Sequence, residues 1–154
     1  MNPRFGIFCQ IGIVVRDLEV AIAHYRRLLG IGPFLQIATS YEGRYRDWRG
    51  TIANRNAFAR LGEVQLELVQ PERGDGNARE WLESRGEGIF HLGFATDDVS
   101  RHPEDVCFES FDDAGRPVVA HLDTVGQLGY FVELIPQTLV AQLDARIDAL
   151  DHDG

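Results

Sequence analysis

Hydrophobic and polar positions along this chain follow two rhythms, period two and period 3.6, and the changes between them outline the elements. Residues 8–15, FCQIGIVV, read as a strand interrupted by one polar side chain, Gln10. Asp17 stands where a helix cap would stand. Leu18, Ala21, Ile22, Tyr25, Leu28 and Leu29 then recur at helical spacing as far as Gly30. FLQIATS and RYRDWRG read as weaker strands. AFARLGEVQLELVQP reads as two short strands about a Gly62-Glu63 turn, closed by Pro71. ERGDGNAREWLESRGEG begins as a Gly-rich loop and continues as a short helix, with Asn77 as its cap and Trp81 and Leu82 turned inward. The second half opens on IFHLGFATDDV and has no clear amphipathic helix, because Pro103 limits SRHPEDV to a brief turn. CFESF and PVVAHLDT follow as strands joined by a DDAGR turn, and GYFVELIP is the last strand. Leu139, Leu143, Ile147 and Leu150 then form one helical stripe ahead of a frayed DHDG tail.

The two halves echo one another. QIGIVVRD at 10–17 matches HLGFATDD at 91–98, and ELVQP at 67–71 matches ELIP at 133–136, in the same order. Each half thus opens on a strand that starts with a polar side chain and closes on a strand carrying a Glu among apolar residues. Strand alternation puts Gln10, Glu67, His91 and Glu133 on faces opposite to Ile11, Leu66, Leu92 and Leu134. Gly12 and Gly93 leave space beside Gln10 and His91. Two readings stay open here. The carboxylates point to solvent and His91 is a core histidine, or the four converge, because unpaired carboxylates are costly to bury. Two carboxylates, an imidazole and an amide oxygen suit a divalent cation that accepts mixed N and O ligands.

Composition narrows the field. A net charge of -9 argues against a nucleic-acid surface. Arg44, Arg46, Arg49, Arg55 and Arg60 cluster locally, either as solvated positions or as contacts to an anionic substrate group, for which Arg55 is the candidate. No apolar run is long enough to span a membrane, and the N-terminal apolar run has no cleavage site. A cytoplasmic protein is expected. Cys9 and Cys107, without a CxxC, read as small buried hydrophobes rather than a disulfide. Tyr41, Tyr45, Trp48 and Phe58 are core aromatics or the lining of an apolar pocket, with Tyr45 and Trp48 as candidate substrate contacts. His121, in VVAHLDT, is a further candidate contact. His24 reads as a surface residue, and His102 and His152 carry no pattern.

With these residues in view, the chain resembles the vicinal oxygen chelate superfamily of glyoxalase I, methylmalonyl-CoA epimerase and extradiol dioxygenases. The resemblance covers roughly residues 7–136, and EWLESRGEGIFHLGFATDDV is most similar to the epimerase branch. It implies an α+β fold: one domain, 1–154, of two paired βαβββ modules curled round a metal cleft. The first module would span 7–71, a linker with a short helix 72–88, the second module 89–136, and a C-terminal helix and tail 137–154.

The family's ligand positions fall on Gln10, Glu67, His91 and Glu133, for a divalent ion such as Zn, Ni, Co, Mn or Mg. Epimerases usually have His where Gln10 stands, whereas Gln, Glu, His, Glu is found in some glyoxalase I enzymes. Gln10 also replaces one of the two His that extradiol dioxygenases use for iron, which makes ring cleavage the less favoured reading. The implied chemistry is proton transfer beside a carbonyl, on a small-molecule substrate such as an acyl-CoA thioester. Glu133 or Glu67 would carry the proton, and Glu42, in a loosely similar EG context, is a further candidate. A lyase of a thiol adduct and a non-catalytic binding protein are the alternatives. The architecture also implies a homodimer.

Overall fold

The computed structural model describes residues 5–101 and 105–153, and the side chains of 5–100 and 105–150. The expectations for His102, Pro103 and the His152 side chain lie outside the described residues. Strand β1 (Ile7–Val14) is followed by helix α1 (Leu18–Leu29) and strands β2 (Leu35–Tyr45), β3 (Trp48–Leu61) and β4 (Val64–Arg73). Helix α2 (Asn77–Arg85) leads into β5 (Gly88–Thr96), a 3-10 turn at Val99–Arg101, β6 (Val106–Phe111) and β7 (Pro117–Leu122). A short helix α3 (Val125–Leu128), strand β8 (Phe131–Pro136) and helix α4 (Gln137–Asp153) complete the chain.

The eight strands close into one barrel in the order β1-β4-β3-β2-β6-β7-β8-β5. Within each half the first and last strands are parallel neighbours, β1 beside β4 and β5 beside β8. The halves join through antiparallel pairs, β1 with β5 and β2 with β6. The sequence repeat is thus the pseudo-symmetry of an α+β barrel. The second half has only the 3-10 turn among its described residues where the first has α1.

Local chemistry accounts for the elements. The Asp17 carboxylate accepts the Val20 N–H at 3.1 Å, and Gly30, at φ 67°, ends α1 in the left-handed region. Leu18, Ala21 and Ile22 bury against Leu66, Leu68, Ala57 and Ala59 on the outer face of β3 and β4. The stripe is shorter than its spacing suggests, since Leu28 and Leu29 are both 64% exposed.

RYRDWRG is not one strand. Tyr45 pairs with Trp48 across a tight turn at Arg46-Asp47, where Arg46 has φ 53°. The turn has no Gly, so sequence gave no warning of it. Nor does β4 end at Pro71. Its pairing with β1 stops at Val69, so the N–H that proline lacks faces a free edge, and the strand runs on to Arg73.

Helix α4 packs Val140, Leu143 and Ile147 against Cys9, Ile135 and Phe58 and remains helical to Asp153 instead of fraying at 151. Both cysteines are free and buried, and burial pushes each thiol up to about 12. No helix among the described residues is long and apolar enough to cross a membrane.

Candidate functional site

Barrel closure sets β4, β1, β5 and β8 side by side, and register puts their polar positions on one inner face. Gln10 is level with Gln65 and Gly93, Gly12 with Glu67 and His91, and Gly93 with Glu133. Gln10, Glu67, His91 and Glu133 therefore meet on the wall of a cavity of about 410 Å³. Gln10 is 2% exposed, His91 1% and Glu133 8%, and Glu67 is partly buried, with its side chain 14% exposed.

The glycines between them are a steric condition of the site. A Cβ on Gly12 would lie 2.0 Å from His91 Nε2, so the imidazole occupies the space that residue 12 leaves. A Cβ on Gly93 would come within 3.0 Å of Gln10 Cβ and 2.9 Å of the Ile135 side chain.

His91 Nε2 lies 3.1 Å from Glu67 Oε1 and 3.6 Å from Glu133 Oε2. Its Nδ1 is buried without a hydrogen-bond partner among the described residues, so the cluster itself sets which ring nitrogen carries the proton. The Gln10 amide nitrogen donates to Gln65 Oε1 at 3.0 Å, and this turns its oxygen toward the carboxylates. That oxygen lies 3.2 Å from Glu67 Oε1 and 3.0 Å from Glu133 Oε1.

Contacts this short between an amide oxygen and two carboxylates are met by a shared proton, by the reversed amide, or by a cation. About 3 Å is the edge length expected between oxygens that share a cation at about 2.1 Å. The donor set therefore fits a divalent ion, with Gln10, Glu67, His91 and Glu133 as the residues that could hold it.

His121 adds a second imidazole on the neighbouring strand β7, opposite Glu133. Its Nε2 is 2.6 Å from Glu133 Oε2, and the Asn77 amide donates to its Nδ1 at 2.7 Å. With Nδ1 accepting, the proton sits on Nε2 and is given to Glu133. His121, His91 and Glu133 lie close enough together to share an ion, but in this tautomer His121 orients the carboxylate and offers no lone pair at Nε2. Burial holds His121 down at about 3, against a smaller opposing effect of Glu67. Burial pushes Glu133 up to about 7, with His91 pulling down and Glu67 pushing up.

These shifts have a thermodynamic consequence. A carboxyl with a raised folded pKa stabilises the fold fully below its ordinary value of 4.5, and that contribution is lost as pH rises through about 7. His121 acts in the opposite sense, losing its contribution as pH falls from 6.5 toward about 3. Metal-free wild type is therefore expected to lose thermal stability relative to Glu133→Gln as pH rises from about 4.5 to about 7. Parallel melting curves across that range check it, and equal slopes would contradict the assignment.

The other sequence candidates separate by face. His121 lines the cavity, as do Tyr41 and Phe58. Tyr45 does not. It is buried in the core beside Trp81 and Phe131, and its hydroxyl donates to Glu80 at 3.1 Å. Trp48 packs on that core, against Gly50 and Gly74. Arg55 points outward and pairs with Glu19 of α1 at 2.8 Å. Glu42, next to inward Tyr41, faces outward by alternation and accepts from the Thr51 hydroxyl at 2.7 Å.

The other clustered arginines are also engaged within the protein. Arg44 pairs with Glu109 at 2.9 Å, Arg60 with Asp144 at 3.0 Å, and Arg46 and Arg49 lie over the rings of Tyr45 and Phe111.

Several residues of the site were not legible beforehand. Asn77 is the first residue of α2 and reaches His121, whereas Gly76 takes the cap position expected for Asn77. Gln65 shares the strand face of Glu67 by alternation, and nothing local marks it as the partner of Gln10. Leu139, Leu143 and Arg146 of α4 also line the cavity. Their spacing puts them on one helix face, but nothing in it says which strand wall they cover.

A closed barrel of two repeated halves, with an amide, an imidazole and two carboxylates converging in its cavity, defines a class of paired-module, metal-capable small-molecule sites. The sequence profile of the Glyoxalase/Bleomycin resistance protein/Dioxygenase superfamily matches residues 9–132, and the chain belongs to that superfamily.

Among solved structures, the fold is similar to a Streptomyces coelicolor methylmalonyl-CoA epimerase in complex with 2-nitronate-propionyl-CoA. The TM-score is 0.63 at 24% identity, over 88% of this chain and 97% of that one. It is also similar to the methylmalonyl-CoA epimerase of Mycobacterium tuberculosis, with TM-score 0.56 at 22% identity, over 88% and 92% of the two chains. At these identities the likeness is one of fold. An uncharacterized protein of Bacillus subtilis, YqjC, is 32% identical over 85 residues, 55% of this chain and 54% of that protein. The match thus spans about half the length of that curated relative.

Proposed function

We propose that this protein is a metal-dependent epimerase or isomerase that moves a proton alpha to a carbonyl, with an acyl thioester as substrate. The observation that carries this reading is the buried convergence of Glu67 and Glu133 with His91 and the Gln10 oxygen at one wall of an otherwise largely apolar cavity. A divalent ion held by these residues would supply positive charge to the carbonyl oxygen as it becomes an enolate.

The chain's own groups account for the rest. Glu133, a carboxylate of β8 on the cavity wall, takes and returns the proton. The His121 N–H holds one oxygen of that carboxylate in place. Glu67 sits on the opposite module and supplies the second carboxylate that inversion at carbon requires. Phe58, Phe108, Phe111 and Leu143 keep the cavity apolar and limit its water.

Arg146 supports a substrate that carries an anionic group. It is the one Arg or Lys lining the cavity among the described residues. No acid lies three or four residues from it on α4, and Asp144 and Asp148, on another face, are engaged with Arg60. An anion repelled by the two inner carboxylates would find its counter-charge there.

Deuterium uptake at the alpha carbon of methylmalonyl-CoA is the test. Protein loaded in turn with Zn, Ni, Co, Mn or Mg should catalyse it with at least one ion, and chelator-stripped protein should fall to the uncatalysed rate. Uptake unchanged after complete metal removal would sink the proposal. A second reading, lyase action on a thiol adduct, rests on the Gln, Glu, His, Glu donor set. Turnover of methylglyoxal with glutathione, without exchange on the thioester, would select it.

A further inference from the structure

We propose that Gln65 is a positioning residue for Gln10, and that through it helix α4 is energetically coupled to the metal centre. This rests on the metal-binding reading of the cluster. The residues matched by the superfamily profile end at 132, so α4 lies beyond them.

Gln65 is 1% exposed, and its amide is used on both sides. Its nitrogen donates to Asp144 Oδ1 at 2.7 Å and to the Val140 carbonyl at 3.2 Å, both on α4. Its oxygen accepts from the Gln10 nitrogen at 3.0 Å. While α4 is docked, this orientation is the only consistent one. Reversing Gln65 would set its oxygen against a carbonyl and a carboxylate, with no proton between them.

A fixed Gln65 then decides between two states of Gln10. In one, the Gln10 oxygen faces Glu67 and Glu133, as a cation requires. In the other, its N–H groups bond both carboxylates at 3.2 and 3.0 Å, and its oxygen meets the Gln65 oxygen at 3.0 Å. Gln65 opposes the second state by leaving two oxygens face to face. Without Gln65, Gln10 is free to close the site with its own N–H groups, and an incoming ion must first break those bonds. Because coupling is reciprocal, an ion that needs the first state also strengthens the Gln10–Gln65–α4 chain.

The test uses the full chain and Co2+ and Zn2+ as probes, with chelator competition for affinity and Co2+ absorption for coordination. Gln65→Leu is expected to weaken binding about 10–100-fold, the usual effect of losing a group that orients a metal ligand. Its Co2+ spectrum should also change. Asp144→Asn keeps an oxygen acceptor for Gln65 and should bind within a few-fold of wild type, which controls for a general packing defect. In wild type, Zn2+ should slow backbone hydrogen exchange across α4, and Gln65→Leu should abolish that slowing while remaining folded.

Wild-type affinity and spectrum in Gln65→Leu, or α4 exchange indifferent to the ion, overturns this inference and leaves the metal reading standing. A wild-type protein that binds neither ion overturns both.

Discussion

Replacing Glu133 with Gln should lower alpha-proton exchange by about a thousandfold, within the range that general acid–base groups supply. The substitution keeps an oxygen that can serve as a ligand and removes the group able to carry a proton. Loss of activity with metal content preserved therefore assigns the proton to Glu133. Glu133 is preferred over Glu67 because His121 and Asn77 form a hydrogen-bonded chain behind it. Deuterium uptake by the substrate, measured beside metal stoichiometry, separates the outcomes. A Glu67→Gln protein that loses the exchange while Glu133→Gln keeps it would reverse the assignment.

Gly12→Ala should disable the site as thoroughly as His91→Ala, although residue 12 offers no donor atom. One added carbon would stand 2.0 Å from His91 Nε2, and the ring has to leave the place from which it reaches Glu67 and Glu133. Overpacking of this kind costs about 1–3 kcal/mol of stability, so the protein is expected to remain folded. Metal affinity should fall about 10–100-fold or more, as in metal sites that lose a correctly held ligand. Chelator competition on both variants, with melting curves beside it, measures this. Undiminished affinity in Gly12→Ala would show that His91 can bind from another rotamer or is not a ligand.

Both predictions begin from features present in the sequence, and they show how far it could be followed. The repeat of QIGI in HLGF, and of ELVQ in ELIP, marked Gln10, Glu67, His91 and Glu133 as equivalent positions of two halves. Period-two alternation then put them on one type of face, and the barrel register brings those faces together. The same rule, continued from Tyr41, turns Glu42 outward. A loose family likeness had suggested Glu42, and local geometry outweighs it. Tyr45, Trp48 and Arg55 lie outside the cavity lining for a related reason. An aromatic or a cation near the site in sequence serves whichever neighbour closure provides, and here those are Glu80, the Gly50 and Gly74 backbone, and Glu19.

The sequence by itself determined most of the strands, apart from the turn at Arg46-Asp47 and the reach of β4, together with the first helix and its Asp17 and Gly30 ends, the two matching halves, and the polar quartet. Each of these follows from periodicity or from a residue's own backbone preference, which are properties of neighbours in the chain. The tertiary structure alone decided that Gln65 holds Gln10, that Asn77 and His121 stand behind Glu133, and that α4 closes one wall and brings Arg146 to the cavity. These contacts join residues 12, 44, 55 or 75 positions apart, and no local pattern encodes them. They exist because closing an eight-stranded barrel fixes which inward side chains share a level, and a buried amide or carboxylate must then find its partner among those.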